Sequence, residues 1–253
     1  FAVSRAFAYN NSIAVLVSKS FSPPTVAELL ASTGIINTEL QAEKGWNYEL
    51  MGKINSLPRL QIEAGVFTFR LKDALVQRRD ESGADYFTNA GSTRQNGIEL
   101  FTRFNYVQRS SFVETGWLTA AYTYSQFRYN DFEKDGNDLS GKVLPGVPSN
   151  TISIWGDAYL KNGFYLIGSY YGASSVFLND ANTVAARPYH LATAKIGYLI
   201  TIKKMKLNFY AGADNLLNET YSLGNDINAV SGRYYNAAPR RNYYAGAAFS
   251  FAK

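Results

Sequence analysis

One rule governs the connections between the alternating apolar segments of this chain: from end to end, a short connection is followed by a long one. Candidate strands fall near 2–9, 12–20, 45–57, 60–76, 87–107, 112–129, 147–160, 163–175, 188–202, 206–217 and 238–251, each bounded by clusters of Gly, Asn, Asp, Pro or Ser. On one side the joins are Asn10-Asn11, Pro58-Arg59, Gln108-Arg109-Ser110-Ser111, Lys161-Asn162 and Lys203-Lys204-Met205. On the other side they run 21–44, 77–86, 130–146, 176–187 and 218–237. A soluble sandwich has no physical reason to collect its tight hairpins at one end. A barrel crossing an outer membrane does, with short periplasmic turns and long extracellular loops.

Within the strands the side chains alternate. Ile98, Leu100, Thr102 and Phe104 interleave with Glu99, Phe101, Arg103 and Asn105; Ile152 and Ile154 interleave with Ser153, Trp155 and Asp157. Ile13, Val15 and Val17 alternate with Ala14, Leu16 and Ser18, and Leu207, Phe209 and Ala211 oppose Asn208 and Tyr210. Near the end, Tyr243, Ala245, Ala247, Phe249 and Phe251 oppose Tyr244, Gly246, Ala248 and Ser250. A period of two sends one set to each face of a sheet. In a membrane barrel the apolar set, with Ile98, Leu100, Ile152, Ile154, Phe209 and Phe249, meets lipid. Glu99, Arg103, Trp155, Asp157, Asn208 and Tyr210 then face the lumen.

Composition removes the competing classes. With a mean hydropathy of −0.20 and no long aliphatic run, no helix of about 20 apolar residues is available to span a bilayer. Strands need only every second residue apolar. Aromatic residues make up 15% of the chain, and Tyr9, Tyr122, Tyr124, Tyr159, Phe164, Tyr170 and Tyr198 lie near expected strand ends, where rings with a polar tip suit the headgroup boundary. The 25 Lys and Arg residues give a net charge of +5 but are scattered along the chain, so no nucleic-acid footprint is expected. Cysteine is absent, which fits passage through an oxidising periplasm.

No catalytic constellation is legible. A single histidine, His190, and no cysteine cannot supply a His/Cys metal site or a Cys–His nucleophile pair, so neither enzymatic activity nor a resident cofactor is expected. His190 reads as a rim residue. Asp131, Asp135 and Asp138 miss the spacing of a calcium loop and read as a solvated acidic stretch. Asn10-Asn11-Ser12 and Asn218-Glu219-Thr220 match a glycosylation pattern by chance. What remains as binding chemistry is the long-loop side: Tyr86, Phe87, Tyr129, Phe132, Phe177, Arg187, Tyr189, Arg233, Tyr234 and Tyr235. Aromatic faces and guanidinium groups suit flat, anionic, oxygen-rich ligands. The same residues also suit an upper aromatic girdle with arginines against lipopolysaccharide phosphate.

Short motifs then carry a resemblance. In order, these are Ser20-Phe21-Ser22-Pro23-Pro24-Thr25-Val26-Ala27-Glu28-Leu29, Leu40-Gln41-Ala42-Glu43 with Tyr48-Glu49, Asn89-Ala90-Gly91 with Asn96-Gly97-Ile98-Glu99, Leu144-Pro145-Gly146-Val147-Pro148, and Asp214-Asn215-Leu216-Leu217-Asn218-Glu219-Thr220-Tyr221. The terminal strand runs from Pro239-Arg240-Arg241 to Phe249-Ser250-Phe251. This series resembles the β-barrel of TonB-dependent outer-membrane receptors. Ser22, Ala42 and Leu217-Asn218 depart from the family pattern, and Ala252-Lys253 follow its customary final Phe.

The resemblance implies an all-β, antiparallel transmembrane barrel of about 22 strands around a separate N-terminal plug, of which this chain supplies about eleven. It also implies uptake of a ferric siderophore or similar iron chelate, energised by TonB–ExbB–ExbD through a segment before residue 1, with outer-membrane lipid and lipopolysaccharide as surroundings. A chain opening directly on strand-like Phe1-Ala2-Val3, with an odd strand number and no signal peptide, is then expected to be the C-terminal part of a larger receptor. Two other readings stay open: a glycan- or peptide-importing receptor of the same architecture, and a non-transporting barrel subunit of a larger outer-membrane assembly.

Overall fold

A computed structural model describes residues 1–251 apart from 33, 81, 108–110 and 135. Most of the expected 108–111 turn, Asp135 of the acidic stretch and the terminal Ala252-Lys253 therefore lie outside the described residues. The strands are β1 (Ala2–Ala6), β2 (Ser12–Ser22), β3 (Glu43–Leu57), β4 (Leu60–Arg79), β5 (Asp85–Asn105) and β6 (Val113–Asp131), followed by the short β7 (Glu133–Lys134) and β8 (Asn137–Asp138). Then come β9 (Asn150–Leu160), β10 (Phe164–Ala173), the short β11 (Val176–Phe177) and β12 (Ala185–Ala186), β13 (Tyr189–Ile202), β14 (Met205–Asp214), β15 (Ser222–Asn225), β16 (Tyr235–Ala237) and β17 (Asn242–Phe251). One helical turn, α1, spans Val26–Leu29. No described helix is long and apolar enough to cross a membrane, which leaves crossing by strands open.

An 11-stranded sheet runs β1-β2-β3-β4-β5-β6-β9-β10-β13-β14-β17, each strand antiparallel to its neighbour in sequence order. The short strands pair only within the loops, as β7-β8, β11-β12 and β15-β16. Antiparallel order puts 21–44, 130–146 and 218–237 on one rim, opposite Asn10-Asn11 and Lys203-Lys204, as the alternation of connections requires. Among the described residues β1 pairs only with β2 and β17 only with β14, so the sheet has two free edges.

Several boundaries move from the sequence expectation. The connection expected at 77–86 is mostly strand, because β4 and β5 extend as a tall hairpin closed over 80–84. Asp80 holds that turn by accepting hydrogen bonds from the Ser82 hydroxyl (2.6 Å) and the Ser82 and Ala84 amides (2.9 and 3.0 Å). The Ser82 hydroxyl, followed by the backbone donors, lowers its pKa. β1 stops at Ala6 rather than residue 9, since Tyr9 and Asn10 turn the chain at φ 61° and 58°. β14 stops at Asp214 because Asn215 adopts φ 49°.

Register confirms the two faces. Val15, Leu50, Val66, Ile98 and Tyr124 form one cross-strand row; one residue along, Ala14, Met51, Gly65, Glu99 and Thr123 form a row on the opposite face. The six residues expected to meet lipid share the first face, and the six expected to face the lumen share the second. Val66 and Ile98 are 47% exposed, Ile196 54% and Leu166 56%, a continuous apolar surface of the kind lipid solvates.

The lumen face packs aromatic rings across glycines. A Cβ at Gly197 would lie 2.1 Å from the Tyr165 ring, at Gly212 2.4 Å from Tyr244, and at Gly246 2.5 Å from the Tyr210 hydroxyl. Tyr159, expected in the outer girdle, belongs to this face and stacks on Tyr165 at 5.6 Å. Its strand position alternates with Ala158 on the lipid face, and nearness to a strand end does not reveal that parity.

Candidate functional site

The long-loop rim is a single scaffold, and the motif residues are its pins. Thr25 caps α1 by accepting from the Glu28 amide, while Glu28 accepts from the Thr25 amide at 2.6 Å, a reciprocal capping box. Glu43 accepts from the Leu75 amide at 2.7 Å. Asn89 donates to the carbonyls of Gln41 (2.8 Å) and Asp73 (2.6 Å) and accepts from the Gln41 amide, tying the 23–42 loop to the β4–β5 hairpin. At Gly91, with φ 34°, a Cβ would sit 1.7 Å from the Asp131 carbonyl oxygen, so only glycine fits. Asn215 accepts from the Glu219 amide and donates to the carbonyls of Glu219 and Pro239, closing the turn before β15.

Next to this scaffold the 130–146 and 176–187 loops close on one another. Tyr129 and Phe132 pack at 4.2 Å between ring centres, 3% and 1% exposed, with Leu139 beside them. The Tyr129 hydroxyl donates to Asp180 at 2.8 Å, and Lys134 Nζ pairs with the same buried carboxylate at 3.0 Å. Asn182 exchanges hydrogen bonds with the Val143 amide and carbonyl at 2.8 and 2.9 Å. Arg78 lies over the Phe132 ring at 5.2 Å and donates to the Glu133 carbonyl. Expected as ligand contacts, Tyr129 and Phe132 are instead the core of the rim: a side chain this deeply buried presents no face to a ligand.

Past that core the rim opens. A pocket of about 790 Å³ lies between the ends of β10 and β13 and the β15–β16 hairpin, lined among others by Tyr171, Arg187, Tyr189, Tyr221, Asn225 and Tyr235. Tyr171 and Tyr189 project from the lumen face of their strands, because they share the parity of Ser169 and Thr193, which hydrogen-bond across that face. The three rings form a run: Tyr171 is 5.9 Å from Tyr189, and Tyr189 stacks on Tyr221 at 5.3 Å. Arg187 is exposed beside them, and Tyr235 is 59% exposed. Phenol rings with one free guanidinium can stack on a flat ligand and donate to its anionic oxygens.

Residues 6–216 match the model of the TonB dependent receptor-like, beta-barrel family. The chain belongs to the TonB-dependent receptor family. That membership places it in the bacterial outer membrane, in a family of receptors. Among solved structures it is similar to the siderophore receptor PiuA from Acinetobacter baumannii (19% identity, TM-score 0.74, 98% of this chain and 35% of that one). It is also similar to the ferric-catecholate import receptor Fiu from K12 E. coli (17% identity, TM-score 0.71, 98% of this chain and 34% of that one). A third is the copper transporter OprC (15% identity, TM-score 0.72, 97% of this chain and 38% of that one). At these identities the likeness is one of fold, and the chain spans little more than a third of the length of each.

Of the other expected contacts in this TonB-dependent receptor chain, Tyr86 and Phe87 are half-buried in β5 on the tall hairpin, where the Phe87 carbonyl accepts from Asn37. They stand apart from the pocket. Arg233 is exposed on the 226–234 loop, and the Tyr234 carbonyl accepts from the Asp226 amide at 3.0 Å. Only Tyr235 of that trio lines the pocket. Phe177 is half-buried, its carbonyl accepting from the Gly146 amide. His190 is exposed on the lipid-facing side with Nδ1 2.7 Å from the Tyr170 hydroxyl. Sequence reasoning missed Tyr171 and Tyr221. The alternation of β10 marks Tyr171 as lumen-facing, and Tyr221 closes the Asp214–Tyr221 motif.

Proposed function

We propose that this chain is the C-terminal part of the barrel of an outer-membrane receptor that imports a ferric siderophore or similar iron chelate, energised through TonB. The plug, the TonB-contact segment and the remaining strands belong to sequence before residue 1, and the free edges of β1 and β17 pair with those strands. Unpaired backbone groups in lipid cost several kcal/mol each, which supports closure by further strands. The observation that carries the ligand reading is the rim pocket, where Tyr171, Tyr189 and Tyr221 stand in sequence beside Arg187. Its donors are phenol, hydroxyl, amide and guanidinium groups, which suit an oxygen-rich anion better than a soft metal ion carried bare. Receptors for siderophores among the structural relatives agree with this choice of cargo.

The test is equilibrium binding of a panel of ferric siderophores to the full-length receptor carrying Arg187→Ala, Tyr189→Ala and Tyr235→Ala together. Affinity for the native chelate is expected to fall roughly ten- to a hundredfold, the loss of one charge-assisted contact of about 1.5–3 kcal/mol plus stacking. Unchanged affinity for every chelate the parent binds returns these residues to the girdle and removes the reading.

A further inference from the structure

Two walls of the rim pocket are held in different ways. One is the 176–187 connection, itself a small hairpin: Val176 pairs with Ala186 and Phe177 with Ala185, and the Leu178 amide donates to the Val184 carbonyl at 2.8 Å. Its arms give Val176, Ala185, Ala186 and Arg187 to the pocket. Its tip is fixed in the loop core, where the Asp180 carboxylate takes the Tyr129 hydroxyl and Lys134 Nζ, and Asn182 bonds to Val143. The other wall is the β15–β16 hairpin, which gives Asn225, Ile227 and Tyr235.

The far end of that second hairpin, 226–234, reaches the first through Asn228. Among the described residues, both hydrogen bonds that join it to the 176–187 tip belong to this residue. Its Oδ1 accepts from the Asp180 amide at 3.0 Å, and its own amide donates to the Leu178 carbonyl at 2.9 Å. The partners lie deep, with Leu178 0% and Asp180 2% exposed. Asn228 adopts φ 55°, the left-handed region that Asn tolerates better than most residues. One residue type thus meets two demands at this position, the turn of the backbone and an acceptor for a buried amide that is costly to leave unpaired.

We propose that Asn228 is a positioning residue of the rim pocket: through Asp180 it ties the β15–β16 wall to the buried Tyr129–Phe132 core, so that the pocket is formed before a ligand arrives. Asp180 serves both sides, its carboxylate holding the core and its amide holding the wall. An ordered wall removes an ordering cost from binding, and a wall that is competent only part of the time weakens apparent affinity by that fraction. Asn228 does not line the pocket, so it acts on a ligand only through the wall. The consequence for binding rests on the chelate reading of the pocket; the tie between wall and core does not.

The test follows hydrogen exchange and the association kinetics of the ferric-siderophore panel in the full-length receptor. Asn228→Gly keeps the left-handed backbone and the bond to Leu178 and removes the acceptor. Ser231→Gly, at φ 57° and exposed in the same loop, adds the same backbone freedom away from the joint. Asn228→Gly is expected to speed exchange over 223–227 roughly tenfold while Tyr129 and Phe132 stay protected. It is also expected to slow association of the chelate that the parent binds by roughly the same factor, with dissociation little changed. Ser231→Gly is expected to change neither. Exchange over 223–227 that stays at the parent's rate in Asn228→Gly, or rises equally in Ser231→Gly, overturns the proposal whatever the chelates do. Raised exchange in Asn228→Gly alone, with association unchanged or with no panel member bound by the parent, upholds the tie and overturns the chelate reading instead.

Discussion

Two stretches of the same rim, 129–139 and 221–237, carry similar aromatic chemistry and end in opposite environments. Tyr129 and Phe132 are 3% and 1% exposed, whereas Tyr235 is 59% exposed beside an open pocket. The difference lies in what covers them. The 176–187 loop lays Asp180 and Ala181 over the first stretch and buries its own Leu178. The 221–237 stretch folds back on itself as the β15–β16 hairpin, with Ser222 accepting from the Asn236 amide, and leaves its rings at the pocket edge. An aromatic residue in a loop faces ligand only where no second loop closes over it.

The largest effect belongs to the closed stretch. Phe132→Ala in the full-length receptor is expected to destabilise the rim by about 3–5 kcal/mol, from lost burial and the cavity left behind. Increased proteolysis of the 130–146 and 176–187 loops would report it; cleavage equal to that of Tyr235→Ala would break the comparison. A similar contrast runs through the thickness of the sheet. Ile154→Arg on the lipid face is expected to cost about 2–4 kcal/mol in urea unfolding from micelles, while Asp157→Arg on the lumen face is better tolerated. Equal costs would mean a register slipped by one residue.

A smaller effect sharpens the role of the buried carboxylate. Tyr129→Phe keeps the ring packing but takes one donor from Asp180, leaving Lys134 as its side-chain partner, with an expected cost of about 1–3 kcal/mol. The difference in rim protection by hydrogen exchange between Tyr129→Phe and the parent measures it. The smallest is in the open stretch: Tyr235→Ala is expected to change stability by less than about 0.5 kcal/mol while weakening chelate binding several-fold. Loss of stability without loss of binding would turn Tyr235 into another packing residue.

Much of the fold is legible in the chain because strand alternation is local. Period-two patterning at Ile98–Phe104 and Ile152–Asp157 identifies both faces without any knowledge of partners. The family motifs are legible for a related reason: Thr25, Glu28, Asn89 and Asn215 satisfy backbone groups at turns and loop joints, Gly91 admits a close backbone approach, and such demands are met by few residue types. Those motifs report the scaffold of the rim, and they are silent on what the rim binds. The expected contact residues divided accordingly, with Tyr129 and Phe132 in the loop core and Arg187, Tyr189 and Tyr235 at the pocket.

By itself the sequence determined the class of fold, the eleven strands of the sheet, the end on which the long loops gather and the two faces of the clearly alternating segments, though not the face of Tyr159. These follow from spacing along the chain, where each residue's neighbours are already known. Only the tertiary structure decided that Tyr129 is covered and Tyr235 is open, that Tyr171 and Tyr221 complete a run of rings with Tyr189, and that Arg70, Arg94 and Arg128 stand side by side. The physical reason is that burial and charge density depend on which distant segments pair and in what register. Pairing brings together residues 24 and 34 positions apart along the chain, from Arg70 to Arg94 and from Arg94 to Arg128, and no local pattern records that they meet.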